Sequence, residues 1–239
     1  MTFYITGDTH SNFLRIKDFC RIYKPDPDDI MVILGDVGLN FYGGHQDDKR
    51  KRSVSKLPLT LFCIHGNHEM RPTEMPGYEE TTFCGGTVWY EPCFPNLLFA
   101  KDGEVYDFGG KKCLVIGGAY SPDKPYRVAN GLPWFDTEQP TAEIRARVEA
   151  RIAAMRGEID YVFSHTCPKK YEPVECFLPQ VDQSKVDKST ERWLDTIESG
   201  LKYERWYCGH WHIEKTIDRM RFMFKDIIVL PTNEDGTED

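Results

Sequence analysis

No stretch of the 239-residue chain approaches the ~20 uninterrupted apolar residues that a membrane-spanning helix needs. The opening, MTFYITGDTH, has neither the basic region nor the apolar region of a secretory leader, so a cytoplasmic, soluble protein without a membrane partner is expected. C-x-x-C pairs are also absent. The eight cysteines stand alone at 20, 63, 84, 93, 113, 167, 176 and 208, most of them inside apolar runs such as LFCIH and KKCLVIGG. Reduced core thiols are therefore expected in place of a disulfide scaffold or a structural zinc site. Basic excess is missing too: 30 Lys and Arg face 38 Asp and Glu, a net charge of -8, which argues against binding long duplex nucleic acid. A nucleotide held through metal is still compatible with that balance. No repeat and no linker divides the chain, so one domain over residues 1–232 is expected, followed by a disordered acidic tail at 233–239. Nothing in the sequence marks an oligomeric state.

What is present is a large apolar share, 40% with 13% aromatics, arranged as strand-like runs alternating with amphipathic segments. That alternation is the pattern of an α/β fold. TFYITGD (2–8), DIMVILGD (29–36), LTLFCIHGN (59–67), IDYVFSH (159–165) and ERWYCGHWH (204–212) read as strands. Helices are predicted after Ser11, which can cap the first of them, and at QDDKRKRSVSKL (46–57), expected to be solvated. Further helices are predicted at PTAEIRARVEARIAAMR (140–156) and STERWLDTIESG (189–200). Between about 70 and 135 short strand-like pieces and loops replace the helical period, and 214–230 alternates like a closing hairpin.

Polar residues of ligand type collect where the apolar strands end. They are Asp8 and His10 in GDTH, Asp36 in GDVG, Asn67 and His68 in GNHE, His165 in SHT, and His210 and His212 in GHWH, which places five of the seven histidines at strand ends. Loops at the carboxyl ends of strands in an open α/β sheet converge on one crevice, however far apart they lie in sequence. D-x-H and H-x-H put alternate side chains on one side of an extended segment, so each pair can grip an ion. Carboxylate, imidazole and amide oxygen together suit Mn²⁺, Fe or Zn²⁺ better than Ca²⁺. Seven such ligands exceed what one ion takes, and two ions sharing a carboxylate is the economical reading.

The ordered set GDTH, GDVG, GNHE, SH and GHWH resembles the calcineurin-like metallophosphoesterase superfamily over residues 8 to 212. The resemblance implies a four-layer α/β/β/α sandwich, with two central mixed β-sheets flanked by helices and a dinuclear metal site at the strand C-terminal ends. It implies one ion held by Asp8, His10, Asp36 and His212 and another by Asp36, Asn67, His165 and His210, with Asp36 as the bridge. Two divalent cations are expected as cofactors, Mn²⁺ first, with Fe, Zn²⁺ or Ni²⁺ as alternatives. His68 would act near the scissile oxygen, as general acid or transition-state stabiliser, with Glu69 orienting it. The activity implied is hydrolysis of a phosphate ester by a hydroxide bridging the two ions.

The phosphoprotein phosphatases of the superfamily extend the second motif to GD-x-x-D-R-G and the third to R-G-N-H-E. Here the second motif reads GDVGLNF and Ile64-His65 precedes GNHE, so the arginine clamp for a monoester is missing. A bacterial or phage-type enzyme acting on a small phosphodiester or nucleotide is therefore expected. Phosphomonoesters, phosphoproteins and short single-stranded nucleic-acid ends are the alternative substrates. Arg71, directly after GNHEM, could take over part of the clamp. The loop GGAYSPDKPYRVANGLPWF (117–135) offers Tyr120, Lys124 and Arg127 as further substrate contacts.

Overall fold

The computed structural model describes residues 1–230; the expected acidic tail at 233–239 and the last positions of the expected 1–232 domain lie outside the described residues. Strands β1 (Phe3–Thr6), β2 (Ile30–Ile33) and β3 (Thr60–Cys63) form where the first three apolar runs stand, with α1 (Leu14–Tyr23) and α2 (His45–Val54) between them. An antiparallel run follows, of β4 (Glu79–Phe83), β5 (Gly86–Tyr90) and β6 (Leu97–Ala100), and then the hairpin β7 (Val105–Phe108) and β8 (Lys111–Ile116). The short α3 (Lys124–Ala129) and α4 (Ala142–Ala154) precede β9 (Tyr161–Ser164), and α5 (Ser189–Ser199) precedes β10 (Arg205–Cys208). The described chain ends in β11 (Lys215–Ile217), β12 (Met220–Phe222) and β13 (Ile228–Leu230).

These strands make two mixed sheets, a seven-stranded one in the order β13-β1-β2-β3-β6-β5-β4 and a six-stranded one in the order β11-β12-β10-β9-β8-β7. The runs of uninterrupted hydrophobicity are explained by burial on both faces. In β2, Ile30 and Val32 enter a core cluster shared with Tyr161 and Phe163 of the other sheet, while Met31 and Ile33 pack with Phe13, Ile16 and Phe19 around α1. Leu114, Val162 and Trp206 turn from the second sheet towards α4 and α5, where Ile144, Val148 and Leu194 cover them. Three apolar layers thus separate four structural layers, helix, sheet, sheet and helix, as the sequence led us to expect.

Three local expectations are corrected. Ser11 does not cap α1: the helix starts at Leu14 with Phe13 at its N-cap, and Ser11 has a left-handed backbone (φ 65) and donates its hydroxyl to the Gly38 carbonyl at 2.7 Å. The charged α2 is not wholly solvated, because Lys51 is buried with its Nζ 2.5 Å from Glu91 and Asp47 accepts the Tyr42 and Gly43 amides. The C-terminal stretch is more than a hairpin: β11 and β12 pair, but β13 crosses to the other sheet and runs antiparallel to β1. No described helix is long and apolar enough to cross a membrane, and all eight cysteines are unpaired.

Candidate metal centre

β1, β2 and β3 run parallel in one sheet and β9 and β10 run parallel in the other, and the loops leaving these strands bring the motif residues together. The backbone does not stay extended there. His10 (φ 45), Asp36 (φ 47), His210 (φ 66) and His212 (φ 53) all take the left-handed conformation that side chains beyond glycine rarely adopt. Strain of this kind, roughly 1–2 kcal/mol per residue, persists only where the surroundings enforce it. The alternation expected for H-x-H therefore fails, and His210 and His212 turn to different partners.

His212 joins the N-terminal motif. Its Nε2 lies 3.2 Å from Asp8 Oδ2 and 2.9 Å from His10 Nε2, and His10 Nε2 is in turn 3.8 Å from Asp36 Oδ2. His210 turns instead to Asn67, whose Oδ1 lies 3.0 Å from His210 Nδ1 and 2.8 Å from His165 Nε2. His165 Nε2 is 3.6 Å from Asp36 Oδ2, so Asp36 stands between the two groups. Potential ligand atoms of Asp8, His10 and His212, and likewise of Asp8, Asp36 and His165, all come within 4.8 Å of one another. Ligands about 2.0–2.2 Å from a divalent ion sit roughly 3–3.6 Å apart, the spacing found here, so the donor set fits such an ion. All seven expected ligands are brought together.

The polypeptide locks these groups from behind. The His210 amide donates to both Asp8 carboxylate oxygens (2.9 and 3.2 Å), and the His68 amide donates to Asp36 Oδ1 (2.8 Å). His165 Nδ1 is fixed by the Leu34 carbonyl at 2.8 Å. Two motif glycines make the approach possible. A Cβ on Gly35 would stand 2.1 Å from His165 Nδ1, and one on Gly66 would stand 2.1 Å from both the Asp36 nitrogen and its Oδ1. The Asn67 amide is oriented by donating to Ser121 Oγ at 2.9 Å, and Arg127 supports Ser121 from behind at 3.3 Å. Ser121 was not singled out in the sequence; the only signal was its place in the 117–135 loop.

Burial would raise the Asp36 carboxyl, but the imidazoles around it, His165 foremost, hold it well below the usual carboxylate range. Burial works against a proton on His165, yet the Asp36 and Asp8 charges push that imidazole up to about 9. His210, dominated by burial, falls to about 3 and keeps a free lone pair at neutral pH. The centre is thus a negatively charged pocket that draws positive charge, next to a neutral imidazole.

The second layer departs from expectation at several positions. Glu69 does not orient His68; its Oε1 accepts the Gly66 amide at 3.0 Å and braces the loop. Arg71 is no phosphate clamp, because it is buried, with Nη1 2.5 Å from Asp102 Oδ2 and Nε donating to the Thr137 carbonyl. Lys124 lies over the Trp134 ring, 3.7 Å from its centroid, and does not line the cleft; nor does the buried Arg127. Tyr120 does line it.

A cleft of about 280 Å³ opens on the centre. His10, Asp36, Asn67, His68, His210 and His212 form its floor. Its outer wall is the segment 172–191 with Trp211, a wall the sequence reading did not identify as functional. The His68 ring lies 5.4 Å from that of His10, and its pKa is lowered first by burial.

The family model for calcineurin-like phosphoesterase matches residues 1–214. No curated protein matches the chain. Among solved structures, the chain is similar to the protein TT1561 of Thermus thermophilus, at 10% identity and a TM-score of 0.51, covering 95% of this chain and 97% of that one. It is also similar to the phosphopantetheinyl hydrolase PptH of Mycobacterium tuberculosis, at 16% identity and a TM-score of 0.48, covering 93% and 88%. At such identities the first of these likenesses is one of fold.

Proposed function

The chain belongs to the calcineurin-like phosphoesterase family of metal-dependent phosphoester hydrolases, and on that premise we propose that it hydrolyses a small phosphodiester at a pair of divalent cations, Mn²⁺ by preference. Asp8, His10, Asp36 and His212 would hold one ion, and Asp36, Asn67, His165 and His210 the other. Such ions would supply Lewis acidity for the attack of water on the phosphoryl group. The protein's own groups do the positioning. Asp36 is held by the His68 amide midway between the two ligand groups, and His165 is fixed by Leu34. The His68 ring lines the cleft, and in this reading it would hydrogen-bond the departing oxygen.

The observation that carries the diester preference is the lining of the cleft. Among the described residues its one Lys or Arg side chain is Lys188, whose Nζ is already 2.8 Å from Glu172 Oε2. A monoester dianion calls for a guanidinium or a free ammonium, and Arg71 and Arg127 are buried and do not line the cleft. A diester, with one negative charge, needs only the cations. Asp123, Glu172 and Glu191 also line the cleft and disfavour a strand of successive phosphates, which weakens the nuclease reading.

The test is steady-state hydrolysis of bis(p-nitrophenyl) phosphate and p-nitrophenyl phosphate by the Mn²⁺-loaded protein. A diester preference of at least tenfold in kcat/KM is expected, abolished by chelation and by Asp36→Asn. Monoester preference of the same size rejects the substrate assignment, and full activity in Asp36→Asn rejects the centre.

A further inference from the structure

The wall of the cleft away from the ligands has a chemistry of its own. Phe177 and Trp211 stack at 5.8 Å with their planes 27° apart, and Trp211 stands edge-on to His210 at 5.3 Å, so an aromatic surface begins at the floor and runs outward. Leu178, Val181 and Val186 continue it. The lining also takes in Glu191, in the first turn of α5 and only 5% exposed. Its Oε1 accepts the Thr166 hydroxyl at 3.0 Å, whereas its Oε2 is buried and has no hydrogen-bond partner among the described residues.

A buried carboxyl oxygen left without a partner costs about 1–3 kcal/mol, and a donor on a bound molecule would recover that cost. Lys188, the nearest cation on the wall, already serves Glu172 and lies 4.2 Å over the Phe177 ring. With Asp123 and Glu172 also on the lining, a second phosphate would meet carboxylates, while a donor N–H would meet an acceptor.

Resting on the diester reading above, we propose that this wall is the pocket for the organic substituent of the substrate, a flat apolar group ending in an N–H donor, neutral or cationic and without a second phosphate, which Glu191 recognises. The aromatic faces take the flat group and Glu191 reads its far end. Glu191 is thus a specificity-determining residue, remote from the bond that breaks.

Binding of non-hydrolysable phosphonate-type probes, with both organic groups bound to phosphorus through carbon, to the Mn²⁺-loaded protein, measured by titration calorimetry, tests this without depending on turnover. The probes are benzyl(methyl)phosphinate and its 4-aminomethyl, 4-carbamoyl and 4-phosphono derivatives. The aminomethyl or the carbamoyl compound is expected to bind at least tenfold more tightly than the parent, and the phosphono compound more weakly. Glu191→Leu should bring the donor-to-parent ratio to within twofold of one. Glu191→Gln, which keeps an acceptor oxygen and the shape, should keep the carbamoyl preference and lose the aminomethyl one. Equal affinities in the wild type, a preference that survives Glu191→Leu, tighter binding of the phosphono compound, or no binding of any probe each overturns the assignment. A preserved probe preference in a protein that hydrolyses only monoesters overturns the diester reading and upholds the pocket.

Discussion

Gly35→Ala places a methyl group where the structure has room for none. The new Cβ would lie 2.1 Å from His165 Nδ1 and 2.6 Å from its Cγ. Ordinary contact is near 3.5 Å, so the imidazole or the loop must move by about 1.4 Å. Such a movement breaks the 2.8 Å contact of Nδ1 with the Leu34 carbonyl and disturbs the 2.8 Å contact of Nε2 with Asn67. Each buried polar group left unpaired costs about 1–3 kcal/mol, and the backbone at φ +95 adds roughly 1–2 kcal/mol for any residue with a side chain. We expect a loss of about 3–5 kcal/mol in urea unfolding. A ligand displaced by more than 1 Å should also cost on the order of 100-fold in kcat/KM at saturating Mn²⁺. Gly110→Ala is the matched control: its φ is +86 and nothing lies within 4 Å of the added methyl, so it carries the backbone term alone. If the two variants agree within about 1 kcal/mol, or if Gly35→Ala retains activity, the close approach of the GD loop to His165 does not hold the centre together.

Three further outcomes follow from other parts of the molecule. Ser121→Ala removes the acceptor that fixes the Asn67 amide and should weaken Mn²⁺ activation about 10–100-fold, read as the midpoint of a metal titration of activity; an unchanged midpoint rejects that role. Arg71→Leu leaves the buried Asp102 without its 2.5 Å partner and should cost about 3–5 kcal/mol in stability with KM for the diester unmoved, whereas a rise in KM would return Arg71 to the substrate. Burial pushes Glu191 up to about 7, with Glu172 raising it further and Thr166 and Lys188 opposing. The folded state therefore favours the protonated form, and the stability this contributes is lost as pH rises from the unfolded value near 4.3 through 7. Glu191→Gln should accordingly gain in Tm over the wild type between pH 5 and pH 8, and a gap that is constant or shrinks with pH would contradict it.

The α/β class and the polar residues at the strand ends could be read from short-range pattern, whereas the two-sheet architecture followed from the resemblance that the ordered motifs carry. A strand buried on both faces shows itself as an apolar run, and the ligands follow the last residue of each run. What could not be read depended on distant partners. Arg71 follows GNHEM and looked available, but its fate is set by Asp102, 31 residues away and joined to it only by the fold. Lys51 belonged to a charged run that reads as solvated, until Glu91 and the Tyr78 ring enclose it. The 172–188 part of the wall has little regular structure, only brief 3-10 turns, and so offers no period to detect. The H-x-H pairing failed because alternation applies to extended backbone, and the loop leaves that conformation one residue after the strand's glycine.

The chain divides almost in step with the sheets: β1 to β6 occupy residues 3–100, and β7 to β12 occupy 105–222. Every oxygen donor of the proposed centre, on Asp8, Asp36 and Asn67, comes from the first stretch, and three of the four imidazoles, on His165, His210 and His212, come from the second. A backbone cut at the turn 101–104 would thus part the oxygen donors from three of the four nitrogen donors, and neither fragment alone would hold a complete set.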